Sequence, residues 1–171
     1  EGWHGHLGKQ IIKKYNLDDN KDPQHYGIGF KEIWDIDPSL HKEGLVIHTL
    51  GWPAKDTVSG SYFYHGENNQ AYIGYVIPLD YSNPHLSPYD EFQQWKHQAS
   101  ISKYLKGGTR VSYGARALIK GGFQSRPKMN FPGGLLIGDN AGTLNFPRIK
   151  GTHTAMKSGM LAAETIFASY K

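Results

Sequence analysis

The sequence predicts an α+β fold in which an antiparallel β-sheet is flanked by helices. Between residues 26 and 77, four segments rich in β-branched and aromatic residues show the two-residue period of half-buried strands. A polar connector at residues 65–70 contains glycine and asparagine, which tolerate the positive φ angles of a hairpin turn. Helical patterns occur before and after this region, and the simplest arrangement of the four strands is an antiparallel sheet.

The first half of the chain is predicted to contain one helix and four strands. The helix covers residues 7–15 and follows a glycine-rich turn. The strands are expected near residues 26–34, 45–50, 61–65 and 72–77. Polar turns and turns that contain glycine or proline separate these elements, because such residues favour the backbone angles of turns.

The second half is predicted to begin with a helix. Ser87 is a suitable N-cap, and Pro88 suits the first helical position because proline has no N–H to lose there. The helix is expected to end at Gly107 and Gly108. An extended segment then follows at residues 111–119.

The chain is predicted to end with a strand, a turn and a long helix. Residues 135–139 are typical of a short buried strand that leads into a glycine-rich turn, and the helix covers about residues 152–170. One face of this helix is expected to be buried. The residues expected on that face are Met156, Gly159, Met160, Ala163 and Phe167.

The composition argues against several functional classes. The chain has 171 residues, of which 38% are hydrophobic and 20% charged, as expected for a folded domain with a sizeable core. It contains no cysteine, so it cannot by itself form a disulfide or hold an iron–sulfur cluster. The net charge is only +4, and the lysines and arginines are scattered among acidic residues, a pattern that does not favour nucleic-acid binding. No apolar run reaches the roughly 20 residues of a membrane span, and the histidine spacing predicts no metal site.

The strongest local motif lies around the start of the last helix. Gly138, Asp139 and Gly142 form a turn, and Gly151 and Thr152 begin the helix. A carboxylate can accept hydrogen bonds from ribose or ribityl hydroxyls, and a helix N-terminus favours a negatively charged group. The motif therefore predicts a site for a polyhydroxylated, anionic ligand, although an ordinary tight turn before a helix explains it equally well.

A set of aromatic residues in the predicted sheet is a second candidate. These side chains either line an apolar ligand pocket or form the core of the sheet, and the core interpretation is favoured. The residues are Trp52, Tyr62, Phe63, Tyr64, Tyr72 and Tyr75.

Several ordered motifs resemble the electron transfer flavoprotein–ubiquinone oxidoreductase family. The most specific runs from Lys150 to Glu164 and reads KGTHTAMKSGMLAAE. The others occur in family order almost from end to end. They are His4-Gly5-His6-Leu7, Tyr26-Gly27-Ile28-Gly29-Phe30-Lys31-Glu32, Gly51-Trp52-Pro53, Leu86-Ser87-Pro88, Glu91-Phe92-Gln93 and Tyr113-Gly114-Ala115-Arg116-Ala117.

This resemblance implies a division of the chain. Residues 26–114 would form the ubiquinone-binding domain, whereas residues 1–25 and 115–171 would belong to the FAD domain, with the final helix directed at the flavin. Asp139 would hold a ribityl hydroxyl, and the helix start at Gly151 and Thr152 would stabilise negative charge on the reduced ring. The backbones of Gly138 and Gly142 would complete the cofactor site.

The resemblance also implies a quinone site. The family places a glycine pair of a Tyr-Gly-Gly-Ser stretch against the quinone, and the aligned residues here are Val58, Ser59, Gly60 and Ser61. Gly60 matches the second glycine, whereas Ser59 replaces the first. Both are expected to bind quinone. Because the implied reaction is electron transfer, no catalytic acid or base is predicted.

The expected cofactor is FAD, and the expected substrate is ubiquinone. The resemblance places a dinucleotide-binding segment before this chain and a [4Fe–4S] cluster after Lys171, so the chain is expected to be part of a longer protein and inactive alone. The expected partners are electron transfer flavoprotein, the rest of the same polypeptide and, peripherally, the matrix side of the mitochondrial inner membrane. Two alternatives remain open, namely an inactive binding or assembly module and a related prenyl-chain reductase.

Overall fold

A computed structural model describes residues 1–3 and 5–170, so the motif residue His4 and the final Lys171 lie outside the described residues. The chain divides into two compact units. Residues 27–116 form one of them, here called the sheet unit. Residues 1–26 and 117–171 form the other, here called the split unit. Both helices and an antiparallel sheet are present, which confirms the predicted α+β class.

A five-stranded sheet with the order β2-β3-β4-β1-β5 is the main element of the sheet unit. Its strands are β1 (Tyr26–Asp35), β2 (Val46–Leu50), β3 (Gly60–His65), β4 (Gln70–Pro78) and β5 (Thr109–Ile119). The pairs β2–β3, β3–β4 and β4–β1 are antiparallel. The four predicted strands are thus confirmed, and the extended segment near residues 111–119 joins them as the fifth.

The hairpin between β3 and β4 forms as its composition predicts. Asn68 and Asn69 have φ angles of 55° and 58°, and the Gly66 N–H donates to the Gln70 carbonyl at 2.8 Å. Two consecutive left-handed residues match the right-handed twist of the flanking strands. This turn therefore fixes the register in which Tyr64 lies opposite Tyr72.

Two helices pack on one face of the sheet, α2 (Pro88–His97) and α3 (Ala99–Leu105). The predicted N-cap is confirmed, since the Ser87 hydroxyl accepts from the Asp90 N–H at 3.3 Å. The prediction of one continuous helix is wrong. Gln98 adopts φ −59° and ψ 132°, which breaks the helical path and starts α3 in a new direction.

The core of the sheet unit lies between these helices and the sheet. Trp95 of α2 is fully buried, and its indole N–H donates to the Thr49 hydroxyl at 2.9 Å, which ties the helix to edge strand β2. Ring stacking connects Phe92 to both Phe30 and Tyr75. The fully buried apolar residues of this core are Phe63, Ala71, Ile73, Tyr75, Ile77, Trp95 and Ile101.

The split unit contains helices α1 (His6–Tyr15) and α4 (Thr152–Ser169) and the short hairpin of β6 (Asn130–Phe131) and β7 (Gly134–Leu135). The strand predicted at residues 135–139 is wrong in extent. Gly138 has a φ of +61°, which ends the extended path, and residues Gly138–Ala141 form a 3-10 helix. The small core of this unit contains Leu17, Leu136 and Ala141, with the side chains of Ile11, Ile12, Tyr15, Met129 and Phe131 against it.

The face of α4 that was predicted to be buried is exposed. Met156, Met160 and Phe167 are all more than half exposed, Ala163 is exposed, and Gly159 is half-buried. Ser158 is instead the buried residue of this helix. Helix α4 contacts the 3-10 helix through the side that carries Ala155 and Ser158, so the methionine-rich face points away from that contact.

Candidate functional site

The turn at Gly138–Gly142 is shaped by two residues in left-handed conformations. Gly138 has a φ of +61° and Gly142 a φ of +69°, angles that glycine adopts without steric cost. The Gly142 N–H donates to the Asp139 carbonyl at 3.0 Å, which closes the turn. The Asp139 side chain is half-buried at the turn.

A single buried serine fastens this turn to helix α4. The Ser158 hydroxyl accepts from the Gly138 N–H at 2.9 Å and donates to the Ala155 carbonyl at 2.7 Å. A side-chain carbon at Gly138 would lie 3.6 Å from the Ala155 Cβ, so turn and helix are in close contact. The structure therefore brings together the two motifs that the sequence separates by some ten residues.

The N-terminus of α4 is open to an anionic group. Gly151 occupies the N-cap position, no side chain of the described residues caps this helix, and its first turn contains no acidic residue. The Thr154 hydroxyl donates to the Gly151 carbonyl and therefore does not accept a hydrogen bond from the first N–H groups of the helix. With 18 residues, the helix carries the full dipole that favours negative charge at this end.

The loop that leads into α4 is tightly closed. The Asn145 N–H donates to the Lys150 carbonyl at 2.9 Å, and the Lys150 N–H donates back to Asn145 at 3.2 Å. Inside this loop, Ile149 has a φ of +54°, which for a β-branched residue costs about 1–3 kcal/mol. The two hydrogen bonds between Asn145 and Lys150 close the loop around the strained Ile149 and so fix where Gly151 starts the helix.

The structure gives the five predicted cofactor residues different positions. Thr152 is exposed at the helix start, whereas Gly138, Asp139 and Gly151 are half-buried. Gly142 is buried, and a side-chain carbon there would lie 3.2 Å from Ile119 Cγ2, so its backbone shapes the turn from the inside. Their contacts with flavin remain predictions.

In the sheet unit, Ser59 is buried and its side chain faces inward. Its hydroxyl donates to the Gly51 carbonyl at 2.8 Å, and the Gly51 N–H donates to the Ser59 carbonyl at 3.0 Å. These bonds close the loop that carries Gly51, Trp52 and Pro53, where the Trp52–Pro53 peptide is cis. The serine that replaces the family glycine therefore stabilises a turn and does not project into solvent.

A buried phenol lies beneath this loop. The Tyr75 hydroxyl faces Ser59 and the backbone of Ala54, but within residues 1–3 and 5–170 it has no hydrogen bond of normal geometry. Burial raises the pKa of Tyr75 above its usual value, and these two neighbours partly offset the effect. Because the Tyr75 hydroxyl is buried next to Ser59, a substitution of Ser59 would change the polar surroundings of this phenol.

Gly60 presents its backbone beside exposed apolar side chains. It is half-buried at the start of β3, and the nearest atom to a side-chain carbon placed there would be Leu50 Cδ2, at 3.4 Å. Leu50 lies opposite Gly60 in the strand pairing and is exposed, and Trp52 and Val58 are exposed in the segment that joins the two strands. A glycine backbone beside an apolar rim suits a flat, apolar ligand with carbonyl oxygens.

The aromatic set divides between the two faces of the sheet. Phe63 and Tyr75 lie in the core, as the favoured interpretation predicted, but Tyr62, Tyr64 and Tyr72 lie on the opposite face, here called the outer face. The alternation of burial along β3, with every second residue buried, is the sequence signal that separates them.

The outer-face rings are closely packed. The Tyr62 ring lies over Gly74, where a side-chain carbon would overlap it, and its centroid is 4.7 Å from that of Tyr64. Burial, with a smaller contribution from Tyr64, raises the pKa of Tyr62 to about 12. The Tyr64 hydroxyl oxygen lies 3.3 Å from His48 Nε2.

A buried ion-pair cluster in the sheet unit was not predicted from the sequence. Glu32 is only 2% exposed, and its carboxylate accepts from Lys96 Nζ at 2.9 Å, from Arg110 at 3.2 Å and from the Trp34 indole at 2.7 Å. The hydrogen bond from Arg110 to Glu32 is the main cause of a raised pKa for Arg110. The signal was present in β1, because Glu32 occupies a position of the strand that otherwise carries apolar residues.

The described part of the chain contains neither a membrane-spanning helix nor a metal-binding cluster. No helix between residue 5 and residue 170 is long and apolar enough to cross a bilayer. Among the same residues, no three His, Asp or Glu side chains are grouped so that they could hold a metal ion.

Comparison with known proteins adds a family to this geometry. The family model for the ubiquinone-binding domain of ETF-QO matches residues 26–118. The chain is 66% identical over 167 residues to the electron transfer flavoprotein-ubiquinone oxidoreductase of Pseudomonas aeruginosa, covering 97% of this chain and 30% of that protein. It is 58% identical over 170 residues to the mitochondrial protein of that name from Sus scrofa, covering 98% and 28%. The chain thus spans less than a third of these relatives.

A solved structure with a similar fold is that of the flavin-dependent brominase Bmp2. The TM-score is 0.65, and the match covers 95% of this chain and 40% of the brominase chain at 18% sequence identity. At this identity the similarity concerns the fold alone. The predicted resemblance is confirmed by the family match and by the relatives above.

Proposed function

Because this chain belongs to the electron transfer flavoprotein–ubiquinone oxidoreductase family, we propose that it forms the quinone-binding domain and part of the FAD domain of such an enzyme. The complete protein would pass electrons from reduced electron transfer flavoprotein to ubiquinone. The observation that carries this proposal is the family match over residues 26–118, within which Gly60 lies beside an apolar rim. The chain alone would lack the segments needed for turnover.

We assign residues 26–114 to the ubiquinone-binding domain and residues 1–25 and 115–171 to the FAD domain. The turn and helix of the split unit fit a flavin, because a half-buried carboxylate and an uncapped 18-residue helix lie in one compact unit. FAD, when bound, supplies the redox chemistry. Asp139 would accept hydrogen bonds from ribityl hydroxyls, while Gly138 and Gly142 hold the turn in shape.

The helix start would stabilise the negative charge of a reduced flavin. The first N–H groups at Gly151 and Thr152 would face that charge, a helix-dipole interaction of about 0.3–2 kcal/mol. This interaction favours reduction and therefore raises the potential of a cofactor bound there. The strained Ile149 and the two backbone bonds of its loop would hold this helix start in place.

On the quinone side, the Gly60 backbone would contact the head group. Ser59 would hold the preceding loop through its bond to Gly51, so its role would be indirect. The exposed side chains of Leu50, Trp52 and Val58 would cover the apolar ring and the first part of the prenyl tail.

We also propose that the complete protein binds peripherally to the membrane that contains ubiquinone. In mitochondria this would be the matrix side of the inner membrane. The same apolar rim would touch that surface. The exposed face of α4 that carries Met156, Met160 and Phe167 would pack against the rest of the polypeptide, which would also hold the [4Fe–4S] cluster. The motifs that occur in family order favour this function over a prenyl-chain reductase, and measured turnover of the whole protein distinguishes it from an inactive assembly module.

The quinone assignment is tested in the complete protein by Gly60→Val. A branched side chain at this position should raise the KM for a short-tailed ubiquinone analogue at least ten-fold while flavin content stays unchanged. Gly114→Val is the matched control, because Gly114 is a strand glycine at which an added side-chain carbon would have no neighbouring atom within 4 Å. A wild-type KM for Gly60→Val would remove Gly60 from the quinone site.

The flavin assignment is tested by Asp139→Ala, with the exposed Asp19→Ala as control. Loss of the ribityl contact should lower the FAD retained after gel filtration, measured as the ratio of absorbance at 450 nm to that at 280 nm. Equal retention in both variants would contradict the proposed role of Asp139.

A further inference from the structure

A histidine and a tyrosine on the outer face of the sheet share the face on which Gly60 opens. In the β2–β3 pairing, Leu50 lies opposite Gly60, His48 opposite Tyr62 and Val46 opposite Tyr64. Alternate residues of a strand point to the same face, so these six positions line one surface. The Tyr64 oxygen lies 3.3 Å from His48 Nε2, and the two rings lie 5.5 Å apart.

The spacing places this pair next to the proposed quinone position. Residues two apart on a strand are separated by about 7 Å, so His48 is one such step from Leu50, and Tyr62 is one step from Gly60. A quinone ring that rests on Gly60 would extend along this step and bring a carbonyl oxygen toward the His48 imidazole. His48 is also exposed, so it can exchange protons with water.

The chemistry of the surrounding groups favours the histidine as proton donor. The titratable groups that face His48 are Tyr64, through the 3.3 Å contact, and Tyr62, its partner across the strands. Because burial raises the pKa of Tyr62 to about 12, this phenol is a weak acid at neutral pH. An imidazole is the side chain whose ordinary pKa allows it to gain and lose a proton between pH 5 and 8.

On the premise of the proposed quinone site at Gly60, we propose that His48 protonates the reduced quinone and that Tyr64 is a positioning residue for its imidazole. The quinone takes two electrons from the reduced protein, and its two carbonyl oxygens each gain a proton to give the quinol. The Nδ1–H bond of the His48 imidazolium breaks as one O–H bond forms, water supplies the proton for the second oxygen, and water then returns a proton to Nδ1. His48 Nε2 keeps its proton throughout and donates to the Tyr64 hydroxyl oxygen at 3.3 Å, which fixes the ring.

The test compares two electron acceptors in the complete protein. One is a short-tailed ubiquinone analogue, whose reduction requires protons, and the other is ferricyanide, which accepts an electron without a proton. His48→Gln should lower kcat with the quinone at least ten-fold and flatten its pH profile between pH 5.5 and 8.5. The ferricyanide rate should remain within two-fold of wild type. The exposed His85→Gln is the control and should change neither rate.

Tyr64→Phe tests the positioning role. It should lower kcat with the quinone about three-fold, leave KM unchanged and shift the midpoint of the pH profile, because the imidazole loses its hydrogen-bond partner. A purely structural tyrosine would instead lower the rates with both acceptors.

The outcomes separate this inference from the function on which it depends. If Gly60→Val impairs quinone reduction but His48→Gln keeps the wild-type rate and pH profile, the proton-donor role is wrong and the quinone site stands. If neither variant affects quinone reduction, the quinone site itself is wrong. Equal losses with quinone and ferricyanide in His48→Gln would also overturn the proton-donor role.

Discussion

The buried carboxylate of Glu32 is expected to be one of the most sensitive positions of the sheet unit. Lys96, whose side chain is only 11% exposed, donates to both Glu32 oxygens at 3.0 and 2.9 Å. The variant Glu32→Gln removes the negative charge but keeps an oxygen that can accept from the Trp34 indole. The ammonium of Lys96 is then left buried without its counter-charge.

The expected loss of stability follows from these contacts. Removing one partner of a buried ion pair costs about 3–5 kcal/mol. The Lys96 ammonium also lies 5.4 Å from the Trp34 ring and 5.0 Å from the Phe92 ring, and such contacts retain part of its stabilisation. We therefore expect a loss near 3 kcal/mol, which is a large share of the 5–15 kcal/mol that stabilises a typical domain.

Urea unfolding of the purified protein, followed by tryptophan fluorescence, measures this loss. Three of the four tryptophans, Trp34, Trp52 and Trp95, lie in the sheet unit, so most of the signal reports on the unit that contains Glu32. The exposed Glu67→Gln is the matched control and should stay within about 0.5 kcal/mol of wild type. The double variant Glu32→Leu/Lys96→Met should recover most of the stability, because apolar replacement of a whole buried pair is often neutral. A loss below about 1 kcal/mol for Glu32→Gln at an unchanged m-value would refute the reasoning.

Three further predictions concern single contacts. Ser158→Ala removes the hydroxyl that accepts from the buried Gly138 N–H and should lower the free energy of unfolding by about 1–3 kcal/mol. Ser169→Ala is the control, because it removes the same type of hydrogen bond to a helix carbonyl at an exposed site and should change stability little. Urea unfolding compares the two variants. Gly8→Ala should destabilise the split unit, because the added Cβ would overlap the Asn140 side chain. Gly159→Ala has open space around the added Cβ and should stabilise α4 by about 0.5–1 kcal/mol. Thermal unfolding measures both changes. Burial, and secondarily His41, lowers the pKa of His65 below 6.5, so the unfolded chain binds protons more readily in acid. Stability should thus be complete above pH 6.5 and fall below it, and His65→Asn should weaken that dependence when unfolding is measured at pH 7.5 and 5.5.

Local rules of backbone and side chain account for what the sequence could predict. The positions of β1 to β4, the Ser87 cap and the asparagine hairpin each depend on residues within one element, and all three are confirmed. The left-handed Gly138 and the break at Gln98 were not anticipated, because both positions also allow the conformation that would continue the element. Tertiary contacts decide between two conformations that are locally permitted.

The candidate sites divide in the same way. The Gly138–Gly142 turn could be named because its glycines, its acid and the helix start that follows are visible in the sequence, whereas Gly60 could be named only because the family resemblance aligns it with a family glycine. Glu32 itself stands out among the apolar residues of β1, but its cluster could not be named, since the partners Lys96 and Arg110 come from elements more than sixty residues away. The methionine face of α4 was predicted to be buried but is exposed. An apolar stripe on a helix does not show which surface, if any within this chain, packs against it.

Neighbouring residues of β3 lie on opposite faces of the sheet, so substitutions in this strand can test stability and quinone reduction separately. Phe63 points into the core and is fully buried, so Phe63→Ala should cost about 3–5 kcal/mol in urea unfolding. Tyr64 is its neighbour but lies on the outer face, so Tyr64→Phe should cost less than about 1 kcal/mol while it alters quinone reduction. If Tyr64→Phe destabilised the unit as strongly as Phe63→Ala, the outer face would be a second core and not a reactive surface. The two-residue period of the strand thus assigns one face to packing and leaves the other free for the proposed proton transfer.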